Sequence, residues 1–335
     1  MPTKKSLKKS GKTTKKPLKK STAKSNVNQG SRVRKLTRRQ NKKRDAEKYK
    51  KEQKLKQLPA AWILLAQSLK HLYRYKKTFL GILLVYAIFY VLFIKGISAN
   101  FQLGNLRNNL ETTLNGKLSK LNSGFALFGL LLGTAGTTSS ESAGVYQTVL
   151  LVLTSLALIW ALRATFGGRS VGIKDSFYKS TGTLVPFIAV CFLLIVQFLP
   201  ALIVSSLYNS VRVNGLLVGP FQSVIAFLIL GAGLGWTLYM LSSTLFALYI
   251  VTLSDAKPRA SVQAAKQLVR FRRGAIIRKV LFLPVVLLLF SVVVLIPLII
   301  FIPIAAEIIF LVFTILVLGV FHSYFYTLYR SLLNE

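Results

Sequence analysis

The amino-acid sequence predicts an all-α membrane protein: a bundle of about six transmembrane helices with amphipathic cytoplasmic elbow helices and a disordered basic N-terminal tail. Three observations predict this class. The 335 residues carry 45 Lys and Arg against 9 Asp and Glu, and about half of these cations precede Pro59. Beyond Pro59, nearly uncharged apolar runs recur, each near the ~20 residues that cross a hydrocarbon core. The remaining cations cluster in alternate connections between these runs.

The first 57 residues are predicted to form a separate, water-exposed cytoplasmic tail. Residues 1–30 mix Lys, Ser, Thr and Pro in near-repeats such as KKSLKKS and KKPLKKS, without helical or strand periodicity. Residues 31–57 are richer in helix formers but have almost no apolar face, which predicts a partly formed, solvated helix. No short apolar stretch follows the N-terminal cations, so a cleavable secretory signal is not expected.

The remaining residues, 58–335, are predicted to form the membrane domain. Pro59 begins an amphipathic segment that predicts a helix lying on the inner leaflet, with Trp62, Ile63, Leu65, Leu69, Leu72 and Tyr73 at helical spacing. The first span covers residues 78–97, after which residues 100–122 are polar and amphipathic. Residues 125–135 are apolar but too short and Gly-rich to span comfortably, so a re-entrant or interfacial piece is expected there.

Five further apolar runs complete the predicted bundle. They cover residues 145–166, 184–207, 220–252, 279–300 and 304–329. Two basic connections, each with a short amphipathic helix at residues 168–178 and 258–271, separate them on one side. Cations favour the cytoplasmic side of a membrane, so these elbows, the tail and both termini are placed in the cytoplasm, with the protein in the plasma (inner) membrane.

The second basic connection resembles a known family. The segment AKPRASVQAAKQLVRFRRGAIIRKVL is similar to the cytoplasmic elbow of the glycerophosphodiester-phosphodiesterase-type membrane domain and related six-helix bacterial membrane proteins of unknown function. That elbow has a proline, an Ala-rich amphipathic helix and "LVRGRRW"-like residues, whose places are taken here by Pro258, Ala264, Leu268, Val269, Arg270, Arg272 and Arg273. The segments GGRSVGIKDSFYKS and YRSLL resemble the family's first elbow and chain end.

This resemblance covers residues 70–333 and implies six helices with both termini inside. Phosphodiesterase chemistry belongs to a separate soluble domain in some members, and nothing in this sequence resembles that domain. The sequence departs from the family pattern at Gly274, where an aromatic residue often stands, and at Asp255, whose surroundings match the family's acidic position poorly.

The reactive residues predict a chain without enzymatic activity. Hydrolysis of phosphodiesters or peptides needs a metal cage, paired carboxylates or an activated nucleophile. The sequence offers nine carboxylates and two histidines without ligand spacing, and Cys191 is its single cysteine. It contains no HExxH, GxxxxGK or GxSxG string. Accordingly no cofactor and no metal are expected.

A few polar or small residues inside the predicted spans are candidate functional positions. Glu307 is the one carboxylate in an apolar run, although its place near the outer prolines also fits a first-turn role. His322 is expected to hydrogen-bond a neighbouring helix rather than to relay protons. The string GAGLGW presents Gly231, Gly233 and Gly235, for which helix packing is favoured over a cavity-lining break.

The distribution of cations predicts the partners. Arg163 and Arg212, at membrane edges, are expected to reach toward lipid phosphates. Anionic inner-leaflet lipids are the expected partners of the elbows, with candidate contacts at Lys76, Lys77, Arg169, Lys174, Arg270, Arg272, Arg273 and Arg278. The tail can also collect nucleic acid or ribosomes through counterion release.

Three functions therefore stay open: a non-enzymatic membrane scaffold or accessory factor, a small-solute or lipid transporter, and a membrane tether for ribosomes or nucleic acid.

Overall fold

The computed structural model describes residues 58–95, 128, 141–215, 219–253 and 257–333. Within these ranges it confirms the all-α class, since they form only helices and the turns that connect them. Six of the helices are long and apolar enough to cross a membrane, as the sequence predicts. The predicted tail, the amphipathic segment 100–122 and, apart from Phe128, the piece at 125–135 lie outside the described residues.

The helices follow one another without a strand among the described residues, and we number them in chain order. They are α1 Ala61–Arg74, α2 Lys76–Tyr90 with a π-helical turn at Val91–Lys95, α3 Glu141–Phe166, α4 Ile173–Ser180, α5 Leu184–Val213, α6 Pro220–Val251, α7 Pro258–Val269, α8 Arg273–Phe301 and α9 Pro303–Leu333. A short 3-10 turn, Thr181–Thr183, joins α4 to α5.

Several helix ends differ from the predicted span ends. The predicted fifth span begins at residue 279, whereas α8 begins at Arg273. Charge marks where the lipid ends but does not stop a helix, because Arg and Lys are good helix formers. Helix ends follow backbone chemistry instead. Gly168 and Gly215, at φ 77° and 68°, adopt the left-handed conformation just after α3 and α5, while Pro220 and Pro258 occupy first-turn positions.

The predicted amphipathic helix after Pro59 is present as α1, and it docks into the bundle. Leu64, Leu65 and Ser68 are buried in the contact. The Ser323 hydroxyl of α9 donates to the Ser68 carbonyl at 3.1 Å. The face named from the sequence is therefore divided: Leu65 and Leu72 turn toward protein, whereas Trp62, Ile63, Leu69 and Tyr73 are exposed.

The larger of two buried clusters lies toward one end of the bundle, and a smaller one, which includes Leu295, Ile299 and Ala306, lies where α8 meets α9. Residues 154–159 of α3, 242–247 of α6 and 322–329 of α9 are buried without interruption, so these stretches are surrounded on every side. Around them pack Phe79 and Ile82 of α2, Leu64 of α1 and Val269 of α7. The opposite half of α6 is largely exposed, with Phe221 and Phe227 at the surface.

Both predicted elbow helices are present, as α4 and α7. In α7 the buried positions Ser261, Ala265 and Val269 recur every four residues, so one narrow stripe of small side chains faces the core. In α4 the buried residues are Ser176 and Ser180. Small residues let each elbow lie close to the bundle, and the lysines and arginines of both elbow helices are exposed.

Candidate functional site at the basic end

Span ends and elbows meet at one end of the bundle, which we call the basic end. Hydrogen bonds connect the pieces there. The Thr78 hydroxyl at the start of α2 donates to the Val171 carbonyl just before α4, at 2.9 Å. The Tyr324 hydroxyl of α9 donates to the Lys279 carbonyl of α8, also at 2.9 Å. The Lys279 ammonium donates to the Pro59 carbonyl, which anchors the start of α1.

Exposed cations surround the basic end and form what we call the cationic rim. Its members are Lys70, Arg74, Lys76, Lys77, Arg169, Lys174, Lys179, Lys257, Arg259, Lys266, Arg270 and Arg278. Six of the eight predicted lipid contacts belong to this rim, and the other two, Arg272 and Arg273, are half-buried. Among the described residues of this end, Asp175 is the only carboxylate. The rim therefore produces a field of one sign.

The sequence predicts that Arg163 reaches toward lipid phosphates, but in the structure its guanidinium binds the protein backbone instead. Its guanidinium donates to the Tyr249 carbonyl at 3.0 Å, to the Thr252 hydroxyl at 2.6 Å and to the Thr252 carbonyl. These carbonyls lie in the last turn of α6, where backbone acceptors lack helical partners and carry negative partial charge. Arg163 thus caps α6 from α3, and its donors are engaged inside the protein.

His71 of α1 connects that helix to the end of α3. Its ring stacks on Phe166 with centroids 3.7 Å apart and planes 6° apart. The Nε2 atom lies 2.9 Å from the Thr165 hydroxyl, which itself lies 2.8 Å from the Ala161 carbonyl. Because that carbonyl can only accept, the hydroxyl proton goes there and His71 donates from Nε2. Burial, with nearby Arg330 and Arg74, lowers the pKa of His71 to about 4.

His322 is buried at the junction of α9 and α6, in an aromatic cluster. Its ring lies edge-on to Tyr249 with centroids 6.4 Å apart, and Tyr249 in turn contacts Tyr326 and Tyr329. The predicted hydrogen bond to a neighbouring helix is not formed at Nδ1, which is buried without a partner among the described residues. The sequence places this ring correctly in the interior but does not reveal its surroundings.

The helix crossing in the GAGLGW string occurs at Gly233. A Cβ there would lie 2.8 Å from a methyl of Val204, so α5 approaches α6 closely at this point. At Gly231 and Gly235 a Cβ would meet nothing within 4 Å, and both residues are exposed. Of the three predicted glycines only Gly233 faces α5, because Gly231 and Gly235 are four residues apart and share the opposite, exposed face of the helix.

The other predicted positions lie at the opposite end. Glu307 belongs to the first turns of α9, and its side chain is outside the described part of the chain. Arg212 is exposed near the end of α5. Neither is brought to the basic end.

Sequence reasoning missed the residues that join the elements of the basic end. Thr165 and His71 are 94 positions apart, and Arg163 and Thr252 are 89 apart. A lone threonine near a span end carries no local signal of such a partner. Arginines near the ends of the spans cannot be told apart in the sequence. In the structure Arg163 hydrogen-bonds inside the protein, whereas most of the others are exposed.

Neither a protein-family model, nor a curated protein, nor a solved structure matches this chain. The resemblance to the glycerophosphodiester-phosphodiesterase-type membrane domain therefore stays a prediction.

Proposed function

We propose that this integral membrane protein is a non-enzymatic scaffold or accessory factor of the plasma (inner) membrane, whose cytoplasmic cationic rim binds anionic inner-leaflet lipid. One observation carries the proposal: the rim gathers exposed Lys and Arg from three connections and contains a single described carboxylate, Asp175. The exposed cations of the rim repel one another, and an anionic surface lying against the rim reduces this repulsion. Basic connections favour the cytoplasmic side, where anionic lipid is concentrated.

The magnitude of the attraction supports lipid over isolated ions. Each Lys or Arg near an anionic leaflet contributes about 1 kcal/mol, and the contributions act together because the rim is held on one framework. The same contacts weaken as salt shortens the Debye length, to about 8 Å at physiological ionic strength.

The experiment compares retention of two lipids by the purified full-length protein. We expect native mass spectrometry to show preferential retention of phosphatidylglycerol over phosphatidylcholine from mixed micelles. A variant with glutamine at Lys174, Lys179, Lys266 and Arg270 should lose most of the preference. The control, Arg212→Gln, removes an exposed cation at the opposite end and should keep it. Equal retention of both lipids by the parent protein would reject the proposal.

A nucleic-acid or ribosome tether is the competing reading of the same charges. It requires salt-sensitive capture of RNA or DNA by the full chain, with log affinity falling linearly with log salt. If the protein captured RNA and retained the two lipids equally, nucleic acid rather than lipid would be the partner of the basic residues.

A small-solute or lipid transporter is favoured by a different observation. The buried atoms Thr154 Oγ1, Gln197 Oε1 and His322 Nδ1 have no hydrogen-bond partner among the described residues. Atoms of this kind require water or a solute, because an unpaired buried polar group is costly. Solute flux into reconstituted vesicles that falls on Gln197→Leu, but not on the exposed control Gln222→Leu, would support transport. No flux above that of protein-free vesicles would remove this candidate.

A further inference from the structure

Arg273, the first residue of α8, is held against an aromatic ring of another span. Its guanidinium carbon lies 4.2 Å from the ring centroid of Tyr239 in α6. This is within the range of a cation–π contact, which an arginine makes with its flat face. The ring is 53% exposed and Arg273 is half-buried, so the pair sits at the surface of the bundle. The contact holds the guanidinium over the ring.

The stacked guanidinium keeps its hydrogen-bond donors available. An arginine has five N–H donors, and these point outward in the plane of the group. Among the described residues no acceptor lies within hydrogen-bond distance of Arg273. Arg163 is the opposite case, because its donors are satisfied by the end of α6. Arg273 is thus oriented by the protein and has donors left for an acceptor from outside.

The depth of the pair in the membrane follows from the length of α6. The helix has 32 residues, about 48 Å at ~1.5 Å per residue, which exceeds a hydrocarbon core of about 30 Å. The stretch from Pro220 to Tyr239 alone is ~30 Å long. One turn before Tyr239 lies Trp236, 64% exposed, and tryptophan and tyrosine favour the membrane–water interface. Tyr239 and Arg273 therefore lie at headgroup level.

The charges around Arg273 are positive. Arg270 and Arg278 are exposed on either side of it in the chain, and the first turn of α8 has no acidic residue. At the neighbouring Gly274 a Cβ would meet nothing within 4 Å, so the approach to this turn is open. Cations at the positive end of a helix dipole repel one another unless an anion lies between them.

We propose that Arg273 and Tyr239 form a specific seat for the phosphate of an anionic phospholipid. The in-plane donors of Arg273 bind two phosphate oxygens, the geometry that a guanidinium fork favours. The acyl chains lie along the exposed apolar surface of α6 beside Trp236. This inference rests on the proposed function and assigns to one arginine a share of the lipid binding that the rim otherwise provides diffusely.

The test measures lipid next to Trp236. In a background carrying Trp62→Phe and Trp160→Phe, Trp236 is the only tryptophan, and lipids with brominated acyl chains quench it when they occupy the adjacent site. In vesicles of phosphatidylcholine with brominated phosphatidylglycerol, we expect phosphatidylglycerol to bind there about tenfold more tightly than phosphatidylcholine. Both lipids carry the phosphate, but the choline ammonium of phosphatidylcholine is repelled by Arg270, Arg273 and Arg278. Inorganic phosphate at the same concentration should not displace it, which separates a lipid phosphate from a free one.

Variants distinguish lipid binding at Arg273 and Tyr239 from lipid binding by the other cations of the rim. Arg273→Gln should lower the preference at Trp236 several-fold, and Tyr239→Leu should reduce it, whereas Tyr239→Phe keeps the ring and should keep the preference. Arg259→Gln, an exposed cation of the same elbow, should lower it less than about twofold, as one charge among many. Equal losses for Arg273→Gln and Arg259→Gln would overturn the seat but leave the rim. Displacement by inorganic phosphate would also overturn it. Failure of the rim itself appears separately, as equal retention of the two lipids in the mass-spectrometric experiment.

Discussion

The two halves of α6 have the same kind of sequence and opposite surroundings. Toward the basic end, residues 242–247 are buried without interruption, whereas toward the other end most residues from Phe221 to Leu228 are exposed. Both halves are apolar enough to belong to one candidate span. Lipid covers an apolar side chain as readily as protein does, so hydropathy does not distinguish the two environments.

What distinguishes the halves is polar bonding between helices. At the basic end Arg163 bonds the end of α6, His71 bonds Thr165, and Ser323 bonds the backbone of α1. These bonds join elements far apart in the chain. In the exposed half of α6, the hydroxyl of Ser223 bonds its own helix. Hydrogen bonds between distant helices are therefore concentrated at one end of the bundle, and four experiments can test this difference.

The largest effect is expected from truncating a buried ring of the basic end. Phe246 is 0% exposed, and Phe246→Ala should lower the free energy of unfolding by about 3–5 kcal/mol, because the cavity cannot be filled by lipid. The control Phe227→Ala, in the exposed half of the same helix at 67% exposure, should cost less than about 1 kcal/mol. Unfolding in mixed micelles measures both. Equal losses would show that the two halves are packed alike.

The next effect concerns the cap on α6. Arg163→Gln removes charge-assisted bonds to Tyr249 and Thr252 and takes away the donor of the Thr252 carbonyl, whereas the Tyr249 carbonyl still accepts from the Thr252 hydroxyl. The loss should cost about 2–3 kcal/mol. Arg212→Gln makes the same chemical change at the exposed opposite end and should lie within about 0.5 kcal/mol of the parent. If the two variants unfolded at the same temperature, Arg163 would be a lipid-facing residue after all.

A smaller effect should reveal the close approach of α5 and α6. Gly233→Ala places a Cβ 2.8 Å from Val204 and should cost about 1–2 kcal/mol through overpacking. Gly231→Ala enters open space and should be neutral or stabilise the helix by up to about 1 kcal/mol. Thermal unfolding of the matched pair decides the matter. Destabilisation by Gly231→Ala instead would place a partner on that face.

The smallest effect is a pH dependence from His71. Its pKa is lowered from 6.5 to about 4 in the folded protein, so between these values the unfolded chain binds a proton that the folded one does not. Stability is therefore full above pH 6.5 and falls as the pH drops toward 4, by about 1 kcal/mol after allowance for solvent screening of this half-buried ring.

The control for this pH dependence is His71→Phe, which keeps a ring on Phe166 but cannot titrate. The difference between the two stability profiles isolates His71 from His322 and from the carboxylates. A constant difference between pH 7 and pH 4.5 would contradict the buried, neutral state of His71.

Much of the fold could be predicted from residues near one another in the sequence. The elbow helix α7 starts at Pro258 as predicted, and α6 starts at Pro220 with the predicted span. The helix after Pro59 is present as predicted, but only Leu65 and Leu72 of the six apolar residues that predict it pack against protein, and the other four, among them Trp62, are exposed. Amphipathic spacing shows that a helix has an apolar side, whereas lipid and protein can each cover that side.

The candidate site was predicted less completely. The exposed cations of the rim follow from positions such as Lys174 and Arg270, because a charge rarely enters a span. The sequence could not show that Arg163 caps α6 while Arg273 stacks on Tyr239, since both are arginines at the edge of an apolar run.

Local residue patterns are enough to predict that this chain crosses a membrane as helices, because the length and apolarity of each run are local properties. Which half of each span is surrounded by protein, and which cations keep hydrogen-bond donors for an outside partner, follows from tertiary contacts alone. Contacts such as His71 with Thr165 join residues from distant parts of the chain, and no local pattern of hydropathy or charge encodes them.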